Sequence, residues 1–100
     1  MKNKCFKVEN IEYEIIKNNK DGFNETDFIN RYTDYFIDYD YVVGDYAYGK
    51  LRLKGFYDDS NKKASKINKI SLLDKYINEN CAYGCKYYVA KKKIIWYNFL

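Results

Sequence analysis

Positively charged side chains alternate along one segment that is predicted to form a β-strand: Lys50, Arg52 and Lys54. Because successive side chains of a strand point to opposite faces, these three share one face at a spacing of about 6.6 Å. Three aromatic residues lie nearby in the sequence: Tyr46, Tyr48 and Phe56. Charges at this spacing suit the phosphates of a nucleic acid, and the rings suit stacking on its bases. We take these six residues as the candidate nucleic-acid-binding site, with a solvated strand face as the alternative interpretation.

The segment belongs to a predicted β-hairpin, in which residues 47–49 link strands at residues 39–46 and 50–57. With a three-residue link, Tyr46 pairs with Lys50 and shares the basic face, which is left for solvent or a ligand. The leucines that alternate with the basic residues then face the core. A two-residue link would change these pairs, but the three positive charges would still share one side of their strand.

Two nucleotide-binding motifs match the hairpin only in part. Residues 44–50 have the spacing of a P-loop, but position 51 is Leu and the chain continues as a strand where that motif requires a helix. Residues 54–56 match the start of an RNA-recognition motif, but Asp58 and Asp59 follow and would repel phosphates. No nucleotide cofactor is therefore predicted, and a complete RNA-recognition motif is not expected.

Metal and acid–base chemistry have few candidate residues. The chain has no histidine, and its three cysteines, Cys5, Cys81 and Cys85, are one short of the four ligands of a structural zinc site. We expect reduced, metal-free thiols and a cytoplasmic location, because no secretory signal precedes them. Asp45 lies beside a glycine, where aspartate usually serves a turn. We therefore predict no catalytic residues, no metal site and no cofactor, and we do not expect an enzyme.

The composition indicates one folded domain. The chain has 100 residues, of which 47% are apolar, 32% charged and 20% aromatic, with no proline and a net charge of +4. Lys, Asn, Tyr and Ile, which AT-rich codons encode, make up half of it, so much of the lysine excess has a genomic explanation. The longest apolar run, residues 94–97, is far shorter than the roughly 20 residues of a membrane span. No membrane association is predicted.

The first half of the chain reads as a strand followed by a helix. Apolar residues alternate over positions 11–15, and turn-forming residues 18–22 end the strand. The period then changes to that of a helix, with Asn24 or Thr26 as the N-cap and an end near Tyr35.

The second half adds a helix and a strand after the hairpin. A polar loop spans residues 58–63, Ser71 is the predicted cap of the second helix, and Gly84 is its predicted end. Residues 85–91 alternate as a last strand, and the apolar tail either adds an edge strand or packs on the domain. The order β-α-β-β-α-β predicts an α+β domain whose largely antiparallel sheet is covered by two helices.

Three blocks of the sequence resemble the YutD-like family of small bacterial proteins. Residues 39–59 read YDYVVGDYAYGKLRLKGFYDD, residues 20–25 read KDGFNE, and residues 76–89 read YINENCAYGCKYYV. The resemblance covers about residues 8–92 of a single domain spanning 1–100, and the apolar tail at 93–100 lies outside it. It implies a cytoplasmic bacterial protein, but no defined activity or catalytic residues. Tyr46 stands where the family favours tryptophan, and Lys50 where glutamine is common.

The leading functional interpretation is a non-enzymatic RNA-binding or ribosome-associated accessory protein. The alternative is a protein-interaction or regulatory module that uses its tyrosine-rich surface and apolar tail. The sequence leaves the partner and the oligomeric state open.

Overall fold

Alternating apolar residues form five strands that hydrogen bond into one antiparallel sheet. The structure, a computed structural model, describes residues 3–80 and 85–95. Its strands are β1 (Cys5–Val8), β2 (Ile11–Asn19), β3 (Tyr41–Ala47), β4 (Lys50–Phe56) and β5 (Tyr87–Ile95). They follow the order β1-β2-β5-β3-β4, so the strand that comes last in the sequence is central in the sheet. The α+β class with a largely antiparallel sheet is confirmed.

The first helix, α1 (Glu25–Arg31), is shorter than the sequence predicted. The side chain of Asn24 caps it by accepting the N–H of Asp27 at 3.0 Å. The chain becomes extended directly after the helix, and the side chain of Thr33 then starts a one-turn 3₁₀ helix, Asp34–Phe36. The predicted end near Tyr35 is therefore wrong, because a second cap interrupts the helical segment.

The second helix, α2 (Leu73–Asn80), follows a one-turn 3₁₀ helix, Ile70–Leu72. The sequence predicted Ser71 as the cap of this helix, but Ser71 lies inside the 3₁₀ turn, so that prediction is wrong. Its N–H instead donates to the carboxylate of Asp59 at 3.1 Å. Gly84, the predicted end of the helix, lies outside the described residues.

The two helices cover opposite faces of the sheet, and each face has its own core. Phe28 and Tyr32 from the α1 segment pack on a cluster that includes Tyr13, Val42 and Tyr88. The other face buries a second cluster of four residues, Tyr41, Val43, Phe56 and Val89, against apolar residues of α2. Neighbouring residues of β3 and β5 alternate between the two clusters, as the period of a strand requires.

The strands at the two ends of the chain differ from the prediction. The sequence interpretation missed β1, a four-residue strand whose buried Phe6 and Val8 alternate with exposed residues. β5 runs to Ile95, beyond the predicted end at residue 91, and occupies the centre of the sheet. Residues 96–100 of the apolar tail lie outside the described residues. Within the described ranges, no helix has the length and apolar character needed to cross a membrane.

Candidate nucleic-acid interface

The hairpin link contains two residues, Tyr48 and Gly49. Ala47 pairs with Lys50, and both link residues have positive φ angles of 54° and 76°. Positive φ at both positions defines the turn whose twist matches that of the two strands. The three-residue link is therefore wrong, and every cross-strand pair differs by one residue from the expected register.

This register moves Tyr46 away from the basic residues. Tyr46 pairs with Leu51, so its side chain lies on the α1 face and packs against the core there. Its hydroxyl donates to a carboxylate oxygen of Asp27 at 3.4 Å. Burial, with a smaller contribution from Asp27, raises the pKa of Tyr46. The expectation that Tyr46 would share the face of Lys50 is therefore corrected.

Lys50, Arg52 and Lys54 do lie on one face of β4, the face that α2 covers. Arg52 pairs with Asp45, whose side chain is only 1% exposed. The guanidinium donates to both carboxylate oxygens of Asp45, from Nη2 at 2.7 Å and from Nε at 3.2 Å. This bidentate contact raises the pKa of Arg52 and neutralises a buried charge. Arg52 is therefore engaged in the fold.

The guanidinium also links the sheet to α2. Nη2 of Arg52 donates to the main-chain oxygen of Asn80, the last residue of that helix, at 2.8 Å. A cation at this position satisfies a carbonyl that has no partner within the helix and interacts favourably with the helix dipole. The pair of Arg52 and Asp45 thus supports both the hairpin and the position of α2.

Lys54 is half-buried beside aromatic rings, whereas the hairpin turn is exposed. The Nζ atom of Lys54 lies 5.2 Å from the ring centre of Phe56 and 5.7 Å from that of Tyr76, as in cation–π contacts. Phe56 is fully buried, so its ring is not accessible for stacking on a base. Tyr48 is fully exposed at the tip of the turn, beside the exposed Lys50.

Two further lysines join Lys54 around a cleft of about 310 Å³ between β4 and α2. We call this cleft the lysine groove and define it by Lys54, Lys66 and Lys75. Its other lining residues are one acidic side chain, an amide and four apolar or aromatic groups: Glu79, Asn80, Phe56, Ile67, Leu72 and Tyr76. None of the three lysines forms an ion pair with another described residue. Sequence reasoning missed Lys66 and Lys75, because only the packing of α2 and of the segment before it brings them to the same cleft as Lys54.

On the opposite face of the sheet, a second cleft has more acidic than basic side chains in its lining. This cleft has a volume of about 610 Å³, and its charged lining residues are Asp21, Asp27 and Lys86. Tyr46 forms part of its wall. The lysine groove has three positive side chains and one negative side chain, whereas this cleft has one positive and two negative. A third cleft, also on the α1 side and of about 370 Å³, has Asp27, Arg31 and Lys50 as its charged lining residues, so the lysine groove has the largest excess of positive side chains among these three clefts.

One of the three cysteines differs from the expectation. Cys85 is disulfide-bonded, so the reduced state predicted for it is wrong. Cys5 is a free, exposed thiol. Cys81 lies outside the described residues. Within residues 3–80 and 85–95, no three acidic or cysteine side chains come together as a potential metal site.

Comparisons with known proteins agree on one family. The family described as "Putative antitoxin YutD-like" matches residues 7–91. The chain is 55% identical over 85 residues to the Bacillus subtilis (strain 168) protein named "Putative antitoxin YutD", which covers 85% of this chain and 93% of that protein. It is also similar to the solution NMR structure of protein yutD from B. subtilis, with a TM-score of 0.80 and 47% identity. That match covers 100% of this chain and 91% of the other.

Proposed function

Since the chain belongs to the YutD-like family, whose name does not specify a ligand, we propose a function from the geometry of the fold. The proposed function is non-enzymatic binding of RNA. The lysine groove would hold the phosphate backbone, and ribosomal RNA in the bacterial cytoplasm is the first candidate ligand. One observation carries the proposal: Lys54, Lys66 and Lys75 converge on one cleft without an ion pair to another described residue. Release of counterions from phosphates is the main source of affinity at such a site.

The surroundings of the groove suit a polyanion. The ammonium of Lys54 lies near two aromatic rings, which restrict its position, so less side-chain freedom is lost when it contacts a phosphate. Burial raises the pKa of Tyr76, which keeps its hydroxyl protonated as a hydrogen-bond donor. Lys50 at the start of the same strand offers one more phosphate contact, and the exposed ring of Tyr48 in the adjoining turn offers one stacking surface.

A protein partner is the second candidate, and a specific observation favours it. The B. subtilis relative is named "Putative antitoxin YutD". In this chain the side chains of Tyr35 and Ile67 are 60% and 75% exposed, respectively. Large exposed apolar side chains of this kind serve as anchors in protein interfaces.

A salt titration of RNA binding tests the proposal. Binding of labelled single-stranded and ribosomal RNA fragments is followed by fluorescence anisotropy for the wild type, Lys66→Gln and Lys75→Gln. Each substitution should weaken binding and lower the salt slope by about 0.7 to 0.9, since each removes one phosphate contact. Lys20→Gln is the matched control, because Lys20 is exposed in the turn after β2 and does not line the groove.

Two results would contradict the proposal. One is RNA binding by the wild type that is no tighter than that of the Lys66→Gln, Lys75→Gln double variant. The other is an equal loss in Lys20→Gln, which would mean that total charge, and not the groove, determines binding.

A further inference from the structure

The hydroxyl of Tyr88 is a buried hydrogen-bond donor without an acceptor among the described residues. The side chain is fully buried, and its ring lies across Gly44, where an added β-carbon would be 2.5 Å from the hydroxyl oxygen. Tyr46, two residues farther along β3, places its side chain on the same face of the sheet. An unpaired buried polar atom is rare in folded proteins and indicates a place where a bound molecule can supply the missing partner.

This hydroxyl lies next to the cleft of about 610 Å³ on the α1 face. The ring of Tyr88 contacts that of Phe23, a lining residue of the cleft, edge-on at 5.0 Å between ring centres. Burial, with smaller contributions from Tyr46 and Asp27, raises the pKa of Tyr88, so its hydroxyl stays protonated. Tyr46 and Asp27 also line the cleft. The unpaired donor therefore lies behind the part of the wall that these two residues form.

Asp27 supplies an acceptor in the same cleft. Its carboxylate forms no ion pair with another described residue, and its hydrogen-bond partner among them is the hydroxyl of Tyr46 at 3.4 Å. This distance exceeds the roughly 2.5–3.0 Å of ordinary O–H···O bonds, so the contact is weak. A ligand that donates to Asp27 can therefore replace Tyr46 at little cost.

The cleft thus offers a carboxylate acceptor and a hydroxyl donor beside the rings of Phe23 and Tyr46. Two adjacent N–H donors match the two oxygens of a carboxylate. Guanine has this pattern on one edge, where N1–H and N2–H lie beside the acceptor O6, whereas adenine would face the carboxylate with the lone pair of its N1. A flat base also suits stacking on an aromatic ring. The volume lies within the roughly 300–1,000 Å³ of small-molecule sites.

The adjoining cleft of about 370 Å³ suits the phosphate of such a nucleotide. It shares Asp27, Tyr46 and Gly49 with the larger cleft, so the two lie side by side. Arg31 and Lys50 line it, and neither forms an ion pair with another described residue. Nε of Arg31 donates to a main-chain oxygen of β4 at 3.1 Å, which holds the guanidinium at this wall. A nucleotide whose base contacts Asp27 can therefore place its phosphate near two cations.

We propose that the clefts on the α1 face bind the guanine base of a nucleotide. Asp27 accepts from N1–H and N2–H of the base, and Tyr46 turns aside to stack on it. The hydroxyl of Tyr88, uncovered by this movement, donates to O6. The inference goes beyond RNA binding at the lysine groove, because this site lies on the opposite face of the sheet and reads a base. Recognition of the base needs neither the magnesium nor the phosphate loop of P-loop proteins.

Four mononucleotides and the full chain test the proposal. The 5′-monophosphates of guanosine, inosine, adenosine and xanthosine are titrated into the isotope-labelled chain, and amide chemical shifts give the dissociation constants. Inosine lacks only the N2 amine of guanosine, and xanthosine has an oxygen in its place. We expect the guanosine nucleotide to bind at least about tenfold more tightly than those of inosine and adenosine, because each of these loses a hydrogen bond to a charged group. The largest shift changes should lie around Asp27 and Tyr46.

Asp27→Asn should change the preference from guanine to xanthine. The amide oxygen still accepts from N1–H, but the amide NH₂ is a donor, which matches the O2 of xanthine and opposes the N2 amine of guanine. We expect the variant to bind the guanosine nucleotide at least about tenfold more weakly, and the xanthosine nucleotide more tightly, than the wild type does. Asp34→Asn is the matched control, because Asp34 is an exposed carboxylate in the first turn of a 3₁₀ helix and lines neither cleft.

Tyr88→Phe removes the unpaired hydroxyl and keeps the ring. We expect binding of the guanosine nucleotide to weaken about three- to tenfold without a loss of thermal stability, since the hydroxyl has no partner to lose among the described residues. Tyr41→Phe is the control, because it removes a hydroxyl from the core cluster on the other face of the sheet. It should leave nucleotide binding unchanged.

Single-stranded RNA distinguishes the two sources of the base. Oligouridine is compared with the same strand carrying one central guanosine, for the wild type and Asp27→Asn. Tighter binding of the guanosine strand that is lost in Asp27→Asn would assign the base to RNA. Selective binding of the guanosine mononucleotide without this difference would assign it to a free nucleotide. Either result supports the site.

The proposal would be overturned if the inosine or adenosine nucleotide bound as tightly as the guanosine nucleotide, or if no nucleotide bound. Wild-type binding by Asp27→Asn or by Tyr88→Phe would also overturn it. Selective guanosine binding by a chain that binds no RNA at the lysine groove would support this inference and refute the proposed function. RNA binding at the groove without nucleotide selectivity would do the reverse, so the two claims can be separated.

Discussion

Substitution of Arg52 by Ala would remove the partner of a buried charge. The carboxylate of Asp45 is 1% exposed, and in the described structure its partner is the guanidinium that donates to both of its oxygens. Removal of one member of a buried ion pair costs about 3–5 kcal/mol, because the remaining charge is left without compensation. Arg52 is itself 41% exposed, so solvent screens the pair and the lower end of this range applies.

The expected loss for Arg52→Ala is about 3 kcal/mol, which includes the bond to the carbonyl of Asn80 at the end of α2. For a domain of this size, such a loss lowers Tm by roughly 12–24 °C. Asp45→Asn in the Arg52→Ala background should recover about 1–2 kcal/mol, because the buried group is then neutral. The double variant should therefore be more stable than Arg52→Ala alone.

Urea denaturation at neutral pH, followed by circular dichroism, measures all members of this double-mutant cycle. The m-value should stay constant, since the same surface is exposed on unfolding. A loss below about 0.5 kcal/mol in Arg52→Ala would refute the structural role of the pair. A lack of recovery with Asp45→Asn would show that the lost stability does not come from an uncompensated charge.

Packing and alkaline pH provide further predictions. Gly44→Ala should lower the free energy of unfolding by about 1–3 kcal/mol, because its β-carbon would lie 2.3 Å from the buried ring of Tyr88. Gly55→Ala should cost less in the same urea assay, since the ring that it meets is partly exposed and can move; an equal cost would contradict this. Tyr88→Phe should leave stability unchanged or raise it, because the buried hydroxyl has no hydrogen-bond partner among the described residues, and a loss above about 1 kcal/mol would show otherwise. The hydrogen bond to Asp38 raises the pKa of Tyr57 to about 12, so the stability that this bond provides should be complete below about pH 10 and lost as the pH rises towards 12. Ultraviolet titration of tyrosinate checks this value, and Asp38→Asn should move it back towards 10; an unchanged titration would refute the assignment.

The sequence predicted both helices and every described strand except β1, because their apolar periods are clear, but it did not predict the hairpin register. The sequence pattern is compatible with a hairpin link of two or three residues. The structure has a two-residue link, with Tyr48 at a φ of 54°. A residue with a β-carbon adopts this conformation rarely, so the sequence offered no local sign of it. The one-residue difference moved Tyr46 to the opposite face of the sheet.

The candidate site was predicted in part. Alternation correctly placed Lys50, Arg52 and Lys54 on one face, since that depends only on the period of a strand. The sequence could not show that Arg52 would pair with a buried Asp45, because this pairing depends on the register. It also could not place Lys66 in the same cleft as Lys54, because that arrangement depends on how the segment before α2 folds against the sheet.

The most direct test of RNA binding at the lysine groove is a map of the contact residues by NMR. Single-stranded RNA is added to the isotope-labelled chain, and amide chemical shifts are followed residue by residue. We predict that the largest changes lie at Lys54, Lys66 and Lys75, with smaller changes at Tyr76, and that they decrease as the salt concentration rises. Changes confined to the α1 face around Tyr46, or no changes at low salt, would contradict the proposed function.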